Sequence, residues 1–318
     1  MSAATETRRT AARAGHGSTG PSRKRTGSMK RAPWILLAPF LVMFVLTFVV
    51  PILIALGSSF TKVTRSGLFG EKGVTTSFAG FANYAEALQD GNFIASLWRM
   101  LLFGVVQVPV MLIFCTVLAL LMESASAKWP GFFRAAYFLP YGVPGVIATI
   151  LWSFLYVPGL SPLFDVAKLV GVTPDFLGPN TVLWSIANIV TWSYTGYNML
   201  IIIAQLKSIP VEVYEAAKVD GASPFRIATS IQLPLIRPAL LLTAVFSIIG
   251  TLQLFAEAQV LQKVAPAVDS EFTPNLAAYT TAFAYNDYNV AAAQAVLIAL
   301  VAFTLSIVFL KVTNRKES

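Results

Sequence analysis

The chain has 318 residues, of which 56% are hydrophobic and only 12% charged, with a formal net charge of +8. Soluble domains carry roughly 25% charged residues, so this composition excludes an ordinary soluble enzyme and places the chain in the membrane class. The single cysteine, Cys115, excludes a disulfide framework within the chain, and the single histidine, His16, excludes a histidine metal site.

Residues 1–32 are rich in Ser, Thr, Gly and Arg and nearly free of large apolar side chains. They cannot bury a core, so they are expected to form a disordered basic cytoplasmic tail. Its charges suit topology and anionic lipid better than nucleic acid. The apolar stretch that follows is longer than the usual signal-peptide core of about 7–15 residues, so a cleaved signal peptide is not expected.

Six apolar runs follow, each near the roughly 20 residues a spanning helix needs. They are Trp34–Leu56, Leu97–Met122, Phe132–Tyr156, Val182–Leu206, Ala239–Leu261 and Val290–Leu310. They do not alternate as barrel strands would, so helices are expected. Cys115 lies in the second run and reads as a small buried apolar residue. Arg99, at the start of that run, reads as a residue snorkelling to the interface. Between the runs, 57–96 has room for a short amphipathic helix at Phe81–Leu88. Segment 157–181 carries Pro158, Pro162, Pro174 and Pro179 and reads as a turn-rich cap. Segment 262–289 ends in aromatics from Phe283 to Tyr288 that suit a membrane interface. Residues 312–318 form a second short tail. With both termini cytoplasmic, 17 of the 23 basic residues fall on the inner side, as the positive-inside rule requires.

The connector before the fifth run, about 207–237, is too ordered for a plain loop. Ser208-Ile-Pro210 reads as a helix start, with Glu212 and Glu215 near the positive end of its dipole. Gly221 reads as a left-handed helix end. Ser223-Pro224 reads as a second start, and Pro234 as its stop. Two readings fit this amphipathic helix-turn-helix: a docking platform for another protein, or a loop packed only on its own bundle.

The spacing Glu215-Ala216-Ala217, three residues, Gly221, nine residues, then Ile231-Gln232-Leu233-Pro234 resembles the EAA loop of binding-protein-dependent ABC importer permeases. Pro33-Trp-Ile-Leu-Leu-Ala-Pro39 with Pro51, Arg134-Ala-Ala-Tyr-Phe-Leu-Pro140 with Pro144, and Phe272-Thr-Pro-Asn275 through Tyr279 with Ala291–Ala293 resemble the carbohydrate-type members. Many of these carry Gly-Gly-Pro after the fifth span, where this chain has Lys263-Val-Ala-Pro266, which leaves the sugar subgroup open. The resemblance implies an all-α membrane protein of six transmembrane helices with the type I ABC importer permease architecture, in the bacterial inner membrane. It implies a second, similar permease that makes a heterodimer, two ATPase subunits that bind ATP and Mg, and an extracytoplasmic solute-binding protein. The chain itself has no GxxxxGK[ST] phosphate cradle and is expected to hold no cofactor. Glu215, Ala216, Ala217, Gly221, Ile231, Leu233 and Pro234 would couple to the ATPase. Glu215 would be the charged contact, the alanines would allow close approach, and Gly221 would form the bend.

For the solute path, Asn188, Thr191, Trp192, Thr195 and Asn198 are expected on one face of the fourth helix. Ser247, Gly250, Gln253 and Glu257 are expected on one face of the fifth. Asn188, Trp192, Asn198, Gln253 and Glu257 are the candidate contacts, since amides, a carboxylate and an indole face suit a sugar. The same residues could instead only hold helix to helix. A glycerol phosphate or polyol permease is an alternative. So, in a different class, is an ion-coupled secondary transporter built around an intramembrane acid.

Overall fold

The computed structural model describes residues 32–65, 74–124 and 126–314. The tail expected at 1–32, with His16, lies outside the described residues but for Ala32, as do residues 315–318. The chain divides into two compact units, Met1–Ile52 and Leu53–Ser318. In the first, α1 (Ala32–Phe44) passes through a π turn at Val45–Val49 into the start of α2 (Val50–Ser59). Phe40, Phe44 and Phe48 stack one turn apart, with centroids 6.1 and 5.6 Å apart.

The second unit opens with a two-stranded antiparallel hairpin that the all-helical expectation missed, β1 (Thr61–Arg65) and β2 (Val74–Phe78), with Thr61 opposite Phe78. Its Val and Thr residues are β-branched, a local preference that hydropathy does not register. The expected amphipathic helix follows as α3 (Ala82–Gln89). Asn83 donates to the carbonyls of Ser59 and Thr61 at 2.8 and 2.7 Å, and Asn289 donates to that of Ser58 at 2.9 Å. These amides satisfy carbonyls around the end of α2 that have no partner in the helix.

Helix α4 (Gly91–Met122) starts six residues before the expected run because Asp90 caps it, accepting from the amides of Asn92 and Phe93. The third run is not one helix. It forms α5 (Pro130–Phe138), a 3-10 turn at Leu139–Gly142 and α6 (Gly145–Tyr156), and the two halves meet at a 98° bend. Pro140 and Pro144 each lack an amide donor and cannot continue the ladder. The proline-rich segment after it contains α7 (Pro162–Leu169), capped by Ser161. Next come α8 (Val182–Lys207), α9 (Val211–Val219), α10 (Pro224–Ile227), a π turn at Ala228–Gln232, and α11 (Leu233–Leu235). The fifth run is also interrupted: α12 (Arg237–Leu252) gives way at Gln253 to non-helical backbone and resumes as α13 (Ala256–Leu261). Helices α14 (Pro274–Phe283), capped by Thr273, and α15 (Tyr288–Asn314) complete the chain.

Among the described residues, four helical stretches are long and apolar enough to cross a bilayer: Pro33–Ser59, Gly91–Met122, Arg237–Leu261 and Tyr288–Thr313. A fifth is reached if the bent α5–α6 pair counts as one. Helix α8 has 26 residues, about 39 Å at 1.5 Å per residue, but it carries more polar residues. It is sheltered instead by the protein. Ile186, Ile189, Met199 and Ile202 are fully buried between α4 and α12. One apolar cluster joins Met100, Phe103, Ile186, Ile189, Leu252 and Leu261. A second joins Cys115, Ala119, Met199, Ile202, Leu206 and Ile236 at the end nearest α9. Cys115 is buried there, as expected.

Polar side chains within this bundle are largely spent on the fold. Thr191 and Thr195 donate one turn back along α8, and Thr243, Ser247 and Thr251 do the same along α12. Gln107 on α4 donates to Thr191 Oγ1 at 2.7 Å, a hydrogen bond across helices of the kind that holds membrane bundles. Arg99 does more than snorkel. Its guanidinium donates to the Phe272 carbonyl at 2.7 Å and lies 4.5 Å from the centroid of the Phe272 ring. It pins the segment before α14 to α4. Arg99→Met should therefore lower stability by about 2 kcal/mol, combining a charge-assisted hydrogen bond with a cation–π contact. Arg99→Lys should recover less than half, since lysine lacks the planar fork. Thermal unfolding in lipid nanodiscs reads both; a wild-type midpoint for Arg99→Met would refute the pin.

Candidate functional site

The first candidate site is the stretch from α9 to α11. Pro210, not Ser208, precedes the first helical residue of α9. Ser208 instead closes α8, donating to the Gln205 carbonyl at 2.8 Å. The end of α9 follows the sequence reading. Gly221 has φ +72°. Its amide donates to Lys218 at 3.0 Å, and that of Ala222 donates to Ala217 at 2.9 Å, the paired bonds of a Schellman ending. Ser223 caps α10, accepting from the Arg226 amide.

Pro234 does not stop the second helix, as its lack of a donor suggested. The chain stays helical through Leu235 because the turn before it widens to π geometry, in which the Leu233 amide reaches the Ala228 carbonyl. The wider turn gives the proline ring room beside the preceding carbonyls, where an α turn would clash. The change of direction comes at Ile236, buried at the foot of α12.

This segment has two faces. Ile209, Val213, Tyr214, Leu233 and Ile236 pack on the cluster around Met199 and Leu206, and Gln232 donates to the Tyr214 hydroxyl at 3.4 Å, linking the two halves. Ala217 and Ile227 are buried, and Ile231 is half-buried. On the other face, Glu215, Ala216, Gly221 and Pro234 are exposed, and Val219 and Phe225 are 87% and 78% exposed. Large apolar side chains this exposed, beside a carboxylate, suit a protein partner.

The second candidate site lies at the two helix breaks. The break before α6 and the break before α13 face each other across a cavity of about 500 Å³. Tyr141, from the first break, stacks on Tyr197 of α8 at 4.5 Å and meets Tyr194 edge-on at 5.9 Å. Asn198, Gln253 and Glu257 line the same cavity. Glu257 opens α13, and its carboxylate lies beside Gly145 at the start of α6, where the helix dipole favours a negative group. Among the described residues, Asn198 and Gln253 make no side-chain hydrogen bond, and Glu257 has no basic partner. Their polar groups are left for whatever fills the cavity.

The five candidate path residues do not share one surface. Asn188 and Trp192 line a separate cavity of about 770 Å³ on another side of α8, with Thr191 and Thr195. Asn188 donates to the Tyr156 hydroxyl at 2.9 Å, and Trp192 packs edge-on against Trp152 at 5.9 Å. Both side chains thus have partners on α6. Residues 188 and 198 sit about 80° apart around a helix at 100° per residue, and the elements packed on α8 divide the single expected face between two cavities. The three tyrosines went unnoticed in the sequence; the signal available was Tyr194 and Tyr197 bracketing a glycine in a polar stretch.

Several known proteins resemble this chain in sequence or fold. The arabinooligosaccharides transport system permease protein AraP of Bacillus subtilis is 29% identical over 90% of this chain and 90% of its own length. The sn-glycerol-3-phosphate transport system permease protein UgpA of Agrobacterium fabrum is 28% identical over 87% of this chain and 92% of its own. A crystal structure of a bacterial ABC transporter that imports the acidic polysaccharide alginate contains a chain that superposes with a TM-score of 0.76. That match has 20% identity and covers 91% of this chain and 96% of that one, so the fold is shared. Residues 115–317, from the last quarter of α4 through both helix breaks and the α9–α11 segment, match the family described as the binding-protein-dependent transport system inner membrane component, and the chain belongs to that family.

Proposed function

We propose that this chain is the permease subunit of an ABC importer for a carbohydrate. It forms half of the translocation path and couples to a separate ATPase through the α9–α11 segment. The observation that carries this reading is the two-faced segment, clamped to the bundle on one side and presenting Glu215, Val219 and Phe225 on the other. In this assembly the chain has six spans and both termini in the cytoplasm, with α8 and the bent α5–α6 pair each counted as a span. A second, similar permease makes a heterodimer, two ATPase subunits hold ATP and Mg, and an extracytoplasmic protein delivers the solute.

Closure of the ATPases would push α9 and α10 together. Since Tyr214, Leu233 and Ile236 are packed on α8 and its neighbours, that push passes to the helices that carry both breaks. Asn198, Gln253 and Glu257, with the tyrosines, would meet the solute. Sugar hydroxyls would bond the amides and the carboxylate, and C–H faces would stack on the rings.

The test is ATPase activity of the complex co-purified through this chain, in lipid, with candidate sugar-loaded binding proteins added one at a time. An ATPase that co-purifies and is stimulated by one loaded protein supports the reading. Uptake driven by a proton or sodium gradient with no associated ATPase would favour the ion-coupled alternative, for which Glu257 at a helix break is the motivating feature. Within this assay, Phe225→Ala should weaken ATPase retention by about tenfold or more, as loss of an apolar anchor does. Its thermal midpoint should not move, because the ring is exposed. Undiminished retention would remove Phe225 from the interface.

A further inference from the structure

The cavity between the helix breaks holds one acidic side chain, Glu257, and no Lys, Arg or His. The smaller space beside it, lined by Tyr141, Pro144, Gly145, Ser193, Tyr194 and Glu257, likewise lacks a basic group. None of the basic residues nearest the lining in sequence, Arg134, Lys207, Arg237 and Lys263, lines either space: Arg134 is paired with Glu123, Arg237 donates to the Thr313 carbonyl, Lys207 closes α8 and Lys263 follows the end of α13. Met111, Val190, Phe246 and Leu254 give the same cavity apolar walls. Low-dielectric walls focus the field of a single charge into such a space and change local ion concentration by roughly 10- to 1000-fold. The backbone at each break could add donors, but helix ends bring partial charges and no full positive charge.

We propose that Glu257 filters solutes by charge: the cavity admits neutral polyhydroxylated solutes and cationic ones such as amino sugars, and opposes those that bear a carboxylate, phosphate or sulfonate. This rests on the reading of the cavity as part of the path. It goes beyond it, because the relatives described above are named for both neutral and anionic solutes. The balance of interactions is direct. A neutral sugar gives hydroxyl donors to the carboxylate, an ammonium group gives a charge-assisted bond, and an anion meets a like charge with no cation to offset it.

The test needs no knowledge of the solute. Cys115→Ser removes the sole thiol, and Gln253→Cys places one on an exposed position of the cavity lining. The assembled complex in nanodiscs is then treated with methanethiosulfonate reagents of similar size, one cationic and one anionic, and the two rates are divided by those for a free thiol. The filter predicts a normalised cation-to-anion ratio of about 10 or more, falling to within about twofold of 1 when Glu257→Gln is added. A ratio near 1 with Glu257 present, or one unchanged by Glu257→Gln, overturns the filter while leaving a wet path intact. If neither reagent reaches the introduced thiol from either side while a detergent-unfolded control reacts, the cavity is not a path, and the site reading and the filter fall together. Retention of the ATPase by each variant verifies that the complex under test is assembled.

Discussion

Gly196→Ala should leave little folded protein, or protein less stable by more than about 3 kcal/mol, beyond the usual range for overpacking. A Cβ on Gly196 would lie 1.8 Å from the Tyr137 carbonyl oxygen, 2.4 Å from its carbon and 2.8 Å from the Phe138 amide nitrogen. All three are backbone atoms, so no side-chain rotation relieves the clash, and the end of α5 must back away from α8. The 3-10 turn next in the chain would move with it, taking Tyr141 off Tyr197 and opening the cavity that the turn bounds. Small residues let membrane helices approach closely; here the approach is between α8 and a helix end. Gly250→Ala is the control for folding, since nothing lies within 4 Å of the Cβ position there. Yield of monodisperse protein and thermal unfolding in lipid provide the comparison, and a Gly196→Ala protein that melts like Gly250→Ala would disprove the contact.

The second large effect is expected at Gly221, and its origin is different. No atom lies within 4 Å of a Cβ placed there, but the residue has φ +72°. The left-handed conformation costs an L-residue roughly 1–2 kcal/mol, more with a branched Cβ. Gly221→Val should therefore rebuild the turn between α9 and α10 without disturbing the bundle. Insertion should be normal, while solute-stimulated ATP hydrolysis of the proposed complex falls by at least about tenfold. Gly221→Asp should impair coupling less than Val, and Gly221→Asn least of all, because Asn and Asp tolerate this region better. The order Val, Asp, Asn in residual stimulation is a signature of backbone strain. Full stimulation in the Val variant would mean the turn does not transmit the ATPase stroke.

These residues also mark what the sequence made legible. Gly221, Ser223 and Asp90 act through their nearest neighbours in the chain, and local spacing sufficed to read the first two. The spans were legible because apolar runs of helical length have few alternatives. The two helix breaks were harder. Pro140 and Pro144 signalled the first, yet hydropathy runs on through them. The second falls at Gln253–Phe255 with no proline, three residues after Gly250, and nothing short of the packing of α13 on α6 separates it from a continuous helix. The division of the polar face of α8 between two cavities was hidden for a related reason. Periodicity says which residues neighbour one another around the helix, and the neighbouring helices decide where the stripe is cut. The tie made by Arg99 was hidden because its partner, the Phe272 carbonyl, is 173 positions away and has no mark in the sequence.

The π turn at Ala228–Gln232 gives a meaning to the nine residues between Gly221 and Ile231. A π turn holds one more residue than the α turn it replaces, so it sets the rotational phase of everything before it. Relaxing that turn to α geometry with all nine residues kept would turn α10 by about 100° against the bundle. Phe225 would swing toward the packed side and Ile227 toward water, with every side chain still present. The interval is a timing mark on a shaft: Phe225 points outward only while the wide turn keeps its extra residue.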